Sequence, residues 1–256
     1  MPPGEMPPVN AKRGRANVDE EESTTVLCDA SVAPSRGTLA ASGCAEVRGG
    51  PAIHALHSWP RGGFGELTHD HKEPDGSAPR GPASRTPEVC TLLLNSREAF
   101  YLAFGLETPR LIIYQDDALL TRDACWATFC AADEFFPSIY TAYCSLRAAG
   151  WHIRDGIKFG VDFTLYEPSS GPSAHATHSV LVLPPGAGER NWLWLQRHVR
   201  LSHTVGKQLL LCTIEAAGGN EAELLRTPVG ISQLEVRTLA VSTWGANREH
   251  GLQSLP

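Results

Sequence analysis

The stretch YCSLRAAGWHIRDGIKFGVDFTLY, residues 143–166, decides the architecture. Phe136, Ile139, Tyr140, Tyr143 and Leu146 recur at helical spacing up to it. Asp133 is a candidate N-cap, Pro137 sits in the first turn, and Gly150 is the expected C′ residue. After Gly150 the pattern turns to strands, WHIR (151–154) and KFGVDFTLY (158–166). HATHSVLVL (175–183), KQLLLCTI (207–214) and the alternating QLEVRTLAV (233–241) extend the set, with a helix over NWLWLQRHVRLS (191–202). A mixed sheet flanked by helices follows, so the class is α/β or α+β.

Working outward, CTLLL (90–94) reads as a strand, and Asn95 with Glu98 as a capping box opening a helix over 99–106. RLIIYQ (110–115) is a strand and DACWATFCA (123–131) a helix, which makes residues 89–135 a small N-terminal α/β unit. Residues 1–88 hold 11 of the 19 prolines and 11 of the 24 glycines. That composition predicts a disordered leader with a short helix near 52–58. The cut itself is then expected to need only a chain beginning near Thr86. RGGFG (61–65) is one copy of a possible RNA-contacting element, and a solvated linker is the better reading. His54, His57, His69 and His71 lack a ligand frame and read as surface histidines. Residues 136–256 form the main domain.

The chain has 256 residues and a net charge of −6, which argues mildly against phosphate binding as a whole. Residues 146–215 differ: seven Lys/Arg stand against five Asp/Glu, with five of the ten histidines. No apolar run approaches the roughly 18 residues of a membrane span. The opening MPPGEMPPVNAKRGR has no apolar stretch, so no secretory signal is expected. Seven cysteines without a CxxC pair support neither a zinc ribbon nor a disulfide framework, and a reducing compartment is expected.

Three residues stand where strand ends would gather them. Tyr166 ends one strand, His175 opens the next after the turn-rich EPSSGPSA (167–174), and Lys207 precedes a strand apolar on both faces. If the first two strands pair antiparallel, Tyr166 and His175 meet at the hairpin mouth. Singly, each is more often a packing or surface residue.

Together with their surroundings they resemble the catalytic domain of the tRNA-splicing endonucleases. The resemblance rests on residues 143–166, HATHSVLV (175–182) and SHTVGKQLLLC (202–212), and more loosely on REAFYLAFGL (97–106) and VSTWGANRE (241–249). It implies a restriction-endonuclease-like mixed-sheet domain and a triad of Tyr166, His175 and Lys207. It also implies that Arg200 and Trp244 hold an intron base. The intact triad implies a catalytic subunit rather than a scaffold or RNA-binding one. GWHIRDGIKFGVDF resembles the subunit cutting the 5′ splice site more than the one cutting the 3′ site. His178 stands where that subunit usually has tyrosine. Three residues from His175 on a strand, it faces the other way and reads as structural. The implied partners are precursor tRNA, a second catalytic subunit and structural subunits. The implied location is the nucleus, or in some members the mitochondrial surface.

The implied reaction needs a base for the 2′-OH, an acid for the leaving 5′-oxygen and a cation for the phosphorane. Histidine, with an ordinary pKa of about 6.5, suits the acid, and lysine suits the cation. Tyrosine, ordinarily near 10, suits the base only with a cation close by. No cofactor or metal is expected. A restriction-type metal site needs an acid two residues before its lysine. Gly156 precedes Lys158 at that spacing and Val205 precedes Lys207.

Overall fold

The computed structural model describes residues 33–40, 43–49, 51–57, 63–69, 90–167 and 175–241. Two mixed sheets share one helix. The first sheet has the order β3-β4-β2-β1-β5-β6. Its strands are β1 (Ser35–Leu39), β2 (Ala45–Arg48), β3 (Glu66–His69), β4 (Cys90–Leu94), β5 (Leu111–Gln115) and β6 (Ala118–Leu119). Strand β1 runs parallel to β5 and antiparallel to β2, with Gly37 opposite both Ile113 and Val47. The second sheet has the order β11-β10-β9-β8-β7. Its strands are β7 (His152–Asp155), β8 (Phe163–Tyr166), β9 (His178–Leu183), β10 (Gln208–Glu215) and β11 (Glu235–Val241). Only β9 and β10 are parallel there, and helix α5 (Trp192–Thr204) makes the crossover.

The α/β class with mixed sheets agrees with the expectation, but the start of order does not. Within the stretch read as a leader, 35–69 supplies β1–β3 and helix α1 (Pro51–His57). Leu39, Val47, Ile53, Leu56 and Phe64 lie in the same buried cluster as Leu92, Leu94, Leu111 and Ile113. The first unit is therefore completed by residues from before position 89. These strands are four or five residues long and polar on one face, so they form by pairing with β4 and β5. Phe64 of RGGFG is 2% exposed, which makes that motif a core element.

Helix α2 (Ser96–Phe100) starts as expected. Asn95 accepts from the Glu98 N–H at 2.9 Å, and Glu98 accepts from the Asn95 N–H at 3.2 Å. It then widens into a π-helical turn over Tyr101–Gly105. Helix α3 (Arg122–Ala132) is capped by Thr121. Helix α4 (Phe136–Ala148) begins at Phe135 as N-cap, and Asp133 instead accepts from the Phe135 N–H at 2.9 Å.

Helix α4 is the shared element. Its Phe136 and Tyr140 pack with Phe100, Trp126 and Phe129 under the first sheet. Its Ile139, Ala142, Tyr143 and Leu146 pack on Ile153, Phe163, Leu165 and Val180 of the second. The opposite face of the second sheet is covered by α5, through Val199, Leu195 and Trp194 against Leu181, Leu209 and Leu211.

Candidate active site

Helices α4 and α5 end in the same way. In α4 the Gly150 N–H donates to Arg147 and the Trp151 N–H to Leu146. In α5 the Gly206 N–H donates to His203 at 3.0 Å and the Lys207 N–H to Ser202 at 2.8 Å. This is the two-bond glycine stop. It needs φ of +68° at Gly206, which an L side chain adopts only with strain. The stop fixes Lys207 as the first residue leaving the helix.

The stretch read as one strand over 158–166 is broken. Ile157–Phe159 form a 3₁₀ turn, and a side chain on Gly156 would lie 2.6 Å from the Val161 carbonyl oxygen. Asp162 then ties β8 to β9. Its N–H donates to Val180 at 2.9 Å, and its Oδ2 accepts from the Val182 N–H at 2.7 Å. Burial raises its carboxyl above the ordinary value, while that hydrogen bond works the other way.

The antiparallel hairpin forms, but β9 starts at His178 and not at His175, and Thr177, not His175, stands opposite Tyr166. Phe163 pairs with Val180 and Leu165 with His178, antiparallel. Beyond the ladder the Thr177 N–H donates to Leu165 at 2.9 Å, and the Gln208 N–H to Thr177 at 3.0 Å. Tyr166, Thr177 and Lys207 therefore share one register line across β8, β9 and β10, with His175 two residues upstream. Side chains alternate along strands. Phe163, Leu165, Val180 and Leu210 face α4, whereas Leu181, Leu209 and Leu211 face α5. By that alternation Tyr166, Thr177 and Lys207 all belong to the α5 side. His175 is exposed, and Tyr166 and Lys207 are half-buried. The strands of Tyr166 and Lys207 are two steps apart, about 10 Å. The Lys207 ammonium lies 4.5 Å from the Phe159 ring centroid and donates to the Val205 carbonyl at 3.3 Å.

His178 lies on the α4 side, as its offset from His175 implies. Its ring meets Trp151 edge-on at 5.1 Å, and its Nδ1 is 2.7 Å from the Thr177 hydroxyl. Burial lowers its pKa, opposed by a Gln208 hydrogen bond and by Glu167. Arg200 is exposed on α5. Trp244 lies outside the described residues, as do residues 168–174. Among the described residues no three His, Cys, Asp or Glu side chains gather as metal ligands. No helix among them is long and apolar enough to cross a membrane.

One residue escaped the sequence reading. His152 pairs with Tyr166 across β7 and β8, which adds it to the same register line. It is 8% exposed, and its Nδ1 has no hydrogen-bond partner among the described residues. The alternation in WHIR carried the signal, because Ile153 faces α4 and its neighbour must face away.

Residues 136–220 match the family described as tRNA intron endonuclease, catalytic C-terminal domain. The tRNA-splicing endonuclease of Nanoarchaeum equitans is 32% identical over 120 residues, covering 44% of this chain and 76% of that protein. The chain belongs to the tRNA-splicing endonuclease family. Within the family, subunit Sen2 of Mus musculus is 32% identical over 169 residues, which is 63% of this chain and 36% of the mouse protein. A probable Sen2 subunit of Oryza sativa is 31% identical over 158 residues, 59% of this chain and 52% of its own length. The chain thus spans about a third to a half of these Sen2 relatives.

Proposed function

We propose that the chain is the subunit of a tRNA-splicing endonuclease that cuts intron-containing precursor tRNA at the 5′ splice site. The observation that carries the reading is the line of Tyr166 and Lys207, with His175 beside it, at one end of three adjacent strands. The likeness to Sen2 subunits supports the assignment to the 5′ site. Tyr166 takes the proton of the 2′-OH, whose oxygen attacks the adjacent phosphorus. Lys207 stabilises the charge on the non-bridging oxygens. His175 gives its proton to the departing 5′-oxygen as the P–O bond breaks. The products are a 2′,3′-cyclic phosphate and a 5′-hydroxyl, and no metal takes part. Other subunits complete the enzyme, with a nuclear location as the working assumption.

His175→Ala in the assembled enzyme should slow one cut by about 10²–10⁴-fold, the usual worth of a general acid. Cleavage of folded RNA that stops in EDTA and returns with Mg²⁺ would refute the chemistry, as would a 5′-phosphate product. Arg200 and Trp244 are proposed to hold an intron base at the 3′ site through two flat faces. Their double alanine variant should weaken the 3′ cut by roughly 5- to 200-fold and spare the 5′ cut. Loss confined to the 5′ site would overturn that role.

A further inference from the structure

Helix α5 carries an unbalanced charge. From Arg190 to Lys207 there are four Lys/Arg and two histidines and no Asp or Glu; the acid nearest in sequence is Glu189. Several arginines elsewhere meet acids: Arg36 pairs with Asp117, Arg97 with Asp155 and Arg237 with Glu215. Among the described residues, no ion pair involves Arg190, Arg197 or Arg200. All three are exposed. Val199 and Ser202 face the sheet, so Arg197, Arg200 and His203 line the outer side. At the N-terminal end Trp192 is 70% exposed, and the Arg190 guanidinium lies 5.2 Å from the Trp194 ring centroid. The helix runs about 20 Å at 1.5 Å per residue, and Lys207 follows its last residue, Thr204, by three positions.

We propose that the outer face of α5 is a track for the RNA strand leading to the cut. Arg190 and Arg197 contact phosphates, and Trp192 offers a stacking surface to an unpaired base. The occupant follows from charge and continuity. In a chain of net −6, Arg197 and Arg200 stand on one helix and Arg190 just before it, none in an ion pair among the described residues, and that helix leads to the lysine assigned to the scissile phosphate. A strand with a charge at every nucleotide matches such a row, and an exposed indole among cations suits a base. The inference rests on the proposed function for its substrate, and adds residues that do not belong to the triad or to the Arg200/Trp244 pair.

The test uses the assembled complex containing the full chain. Arg190→Gln with Arg197→Gln is compared with the parent for precursor-tRNA affinity across a salt series of about 50–200 mM. The slope of log affinity against log salt should fall by about 1.4, from about 0.7 per lost phosphate contact on a single strand. KM should rise while kcat at saturation holds, and lysines at both positions should restore the slope. Trp192→Ala should weaken binding roughly 5- to 150-fold with the slope intact, and Trp192→Phe should recover most of it. An unchanged slope in the double variant overturns the proposal. So does loss of subunit co-purification with the slope intact, because the face is then a protein interface. If thermal melting shows the double variant unfolded, Arg197→Gln alone decides, with an expected slope change of about 0.7. A parent complex that binds precursor tRNA but never cuts it refutes the proposed function and leaves the slope to judge this face.

Discussion

Phe159→Leu tests whether Lys207 owes its place to an aromatic floor. The ammonium sits 4.5 Å from the Phe159 ring centroid and donates to the Val205 carbonyl at 3.3 Å. Both side chains are half-buried, so the cation–π attraction falls between the exposed value of about 0.5 kcal/mol and the desolvated value of about 2 kcal/mol. Leucine keeps an apolar side chain against the cluster of Val161, Leu181, Val199, Leu209 and Leu211 and removes the ring face. If that attraction is fully used in holding Lys207 for the phosphorane, its loss slows the chemical step about 2- to 30-fold, at 1.36 kcal/mol per decade. The assay is single-turnover cleavage by the assembled enzyme at saturating RNA. Leu183→Ala, in the same cluster, serves as a variant weakened in packing only. A Phe159→Leu rate within twofold of the parent, or a loss no greater than that of Leu183→Ala, refutes the reasoning.

Glu98→Ala should cost about 2–5 kcal/mol in denaturant unfolding, because the N–H groups of Asn95 and Gly65 both donate to its carboxylate in a part-buried site; a loss under about 1 kcal/mol counts against it. For His178 the folded pKa is lowered by burial. Its stabilisation is therefore whole above the unfolded value of about 6.5, and is lost as pH falls through the lower folded value. His178→Tyr should flatten the stability profile on that acid side, and parallel profiles from urea melts at pH 5–8 would contradict this. A chain beginning at Thr86 should fail to fold, because Leu39, Val47, Ile53 and Phe64 leave the core. At about 1.5–3 kcal/mol each they rival the 5–15 kcal/mol of an ordinary domain, and a cooperative melt near that of the full chain would refute the estimate.

The second sheet was legible because its signals are local. The α4 stop at Gly150 and the helix before Lys207 follow from neighbouring residues, and β8 and β9 are consecutive strands joined by the turn-rich EPSSGPSA. Phe159 and Asp162 read as strand because Gly160 looks like a strand glycine until its φ of +66° and the packing of Val161 on Gly156 are seen. The strands before position 89 were invisible for a different reason. SRGTL and AEVR bury only Gly37, Leu39, Ala45 and Val47, too few to show a period. Their partner β5 lies more than 70 residues away, with Ser35 opposite Leu111. Tyr166, His175 and Lys207 came from resemblance. His152 needed the register, which residue spacing alone does not supply.

The N-terminal unit holds the edge of the sheet that bears the site. Strand β7 is that edge. Arg154 donates to the Gly65 carbonyl at 3.0 Å, and Arg97 pairs with Asp155 at 3.0 Å. Arg147 of α4 lies 4.5 Å from the ring centroid of Phe64. Tyr101 of the π-helical turn meets Tyr143 of α4 edge-on at 5.5 Å. Two of these contacts, those of Arg154 and Arg147, fall on Gly65 and Phe64, the end of the motif that composition presented as a linker. Strand β7 carries His152, and β8 beside it carries Tyr166. Close-packed interiors transmit displacement instead of absorbing it. The seat of Phe64 therefore bears on where the Tyr166 end of β8 lies relative to Lys207, two strands away. The widened turn at Tyr101–Gly105 fits the same account. A side chain on Gly105 would come within 2.9 Å of the Tyr140 hydroxyl, so the turn is packed directly against the helix that both sheets share.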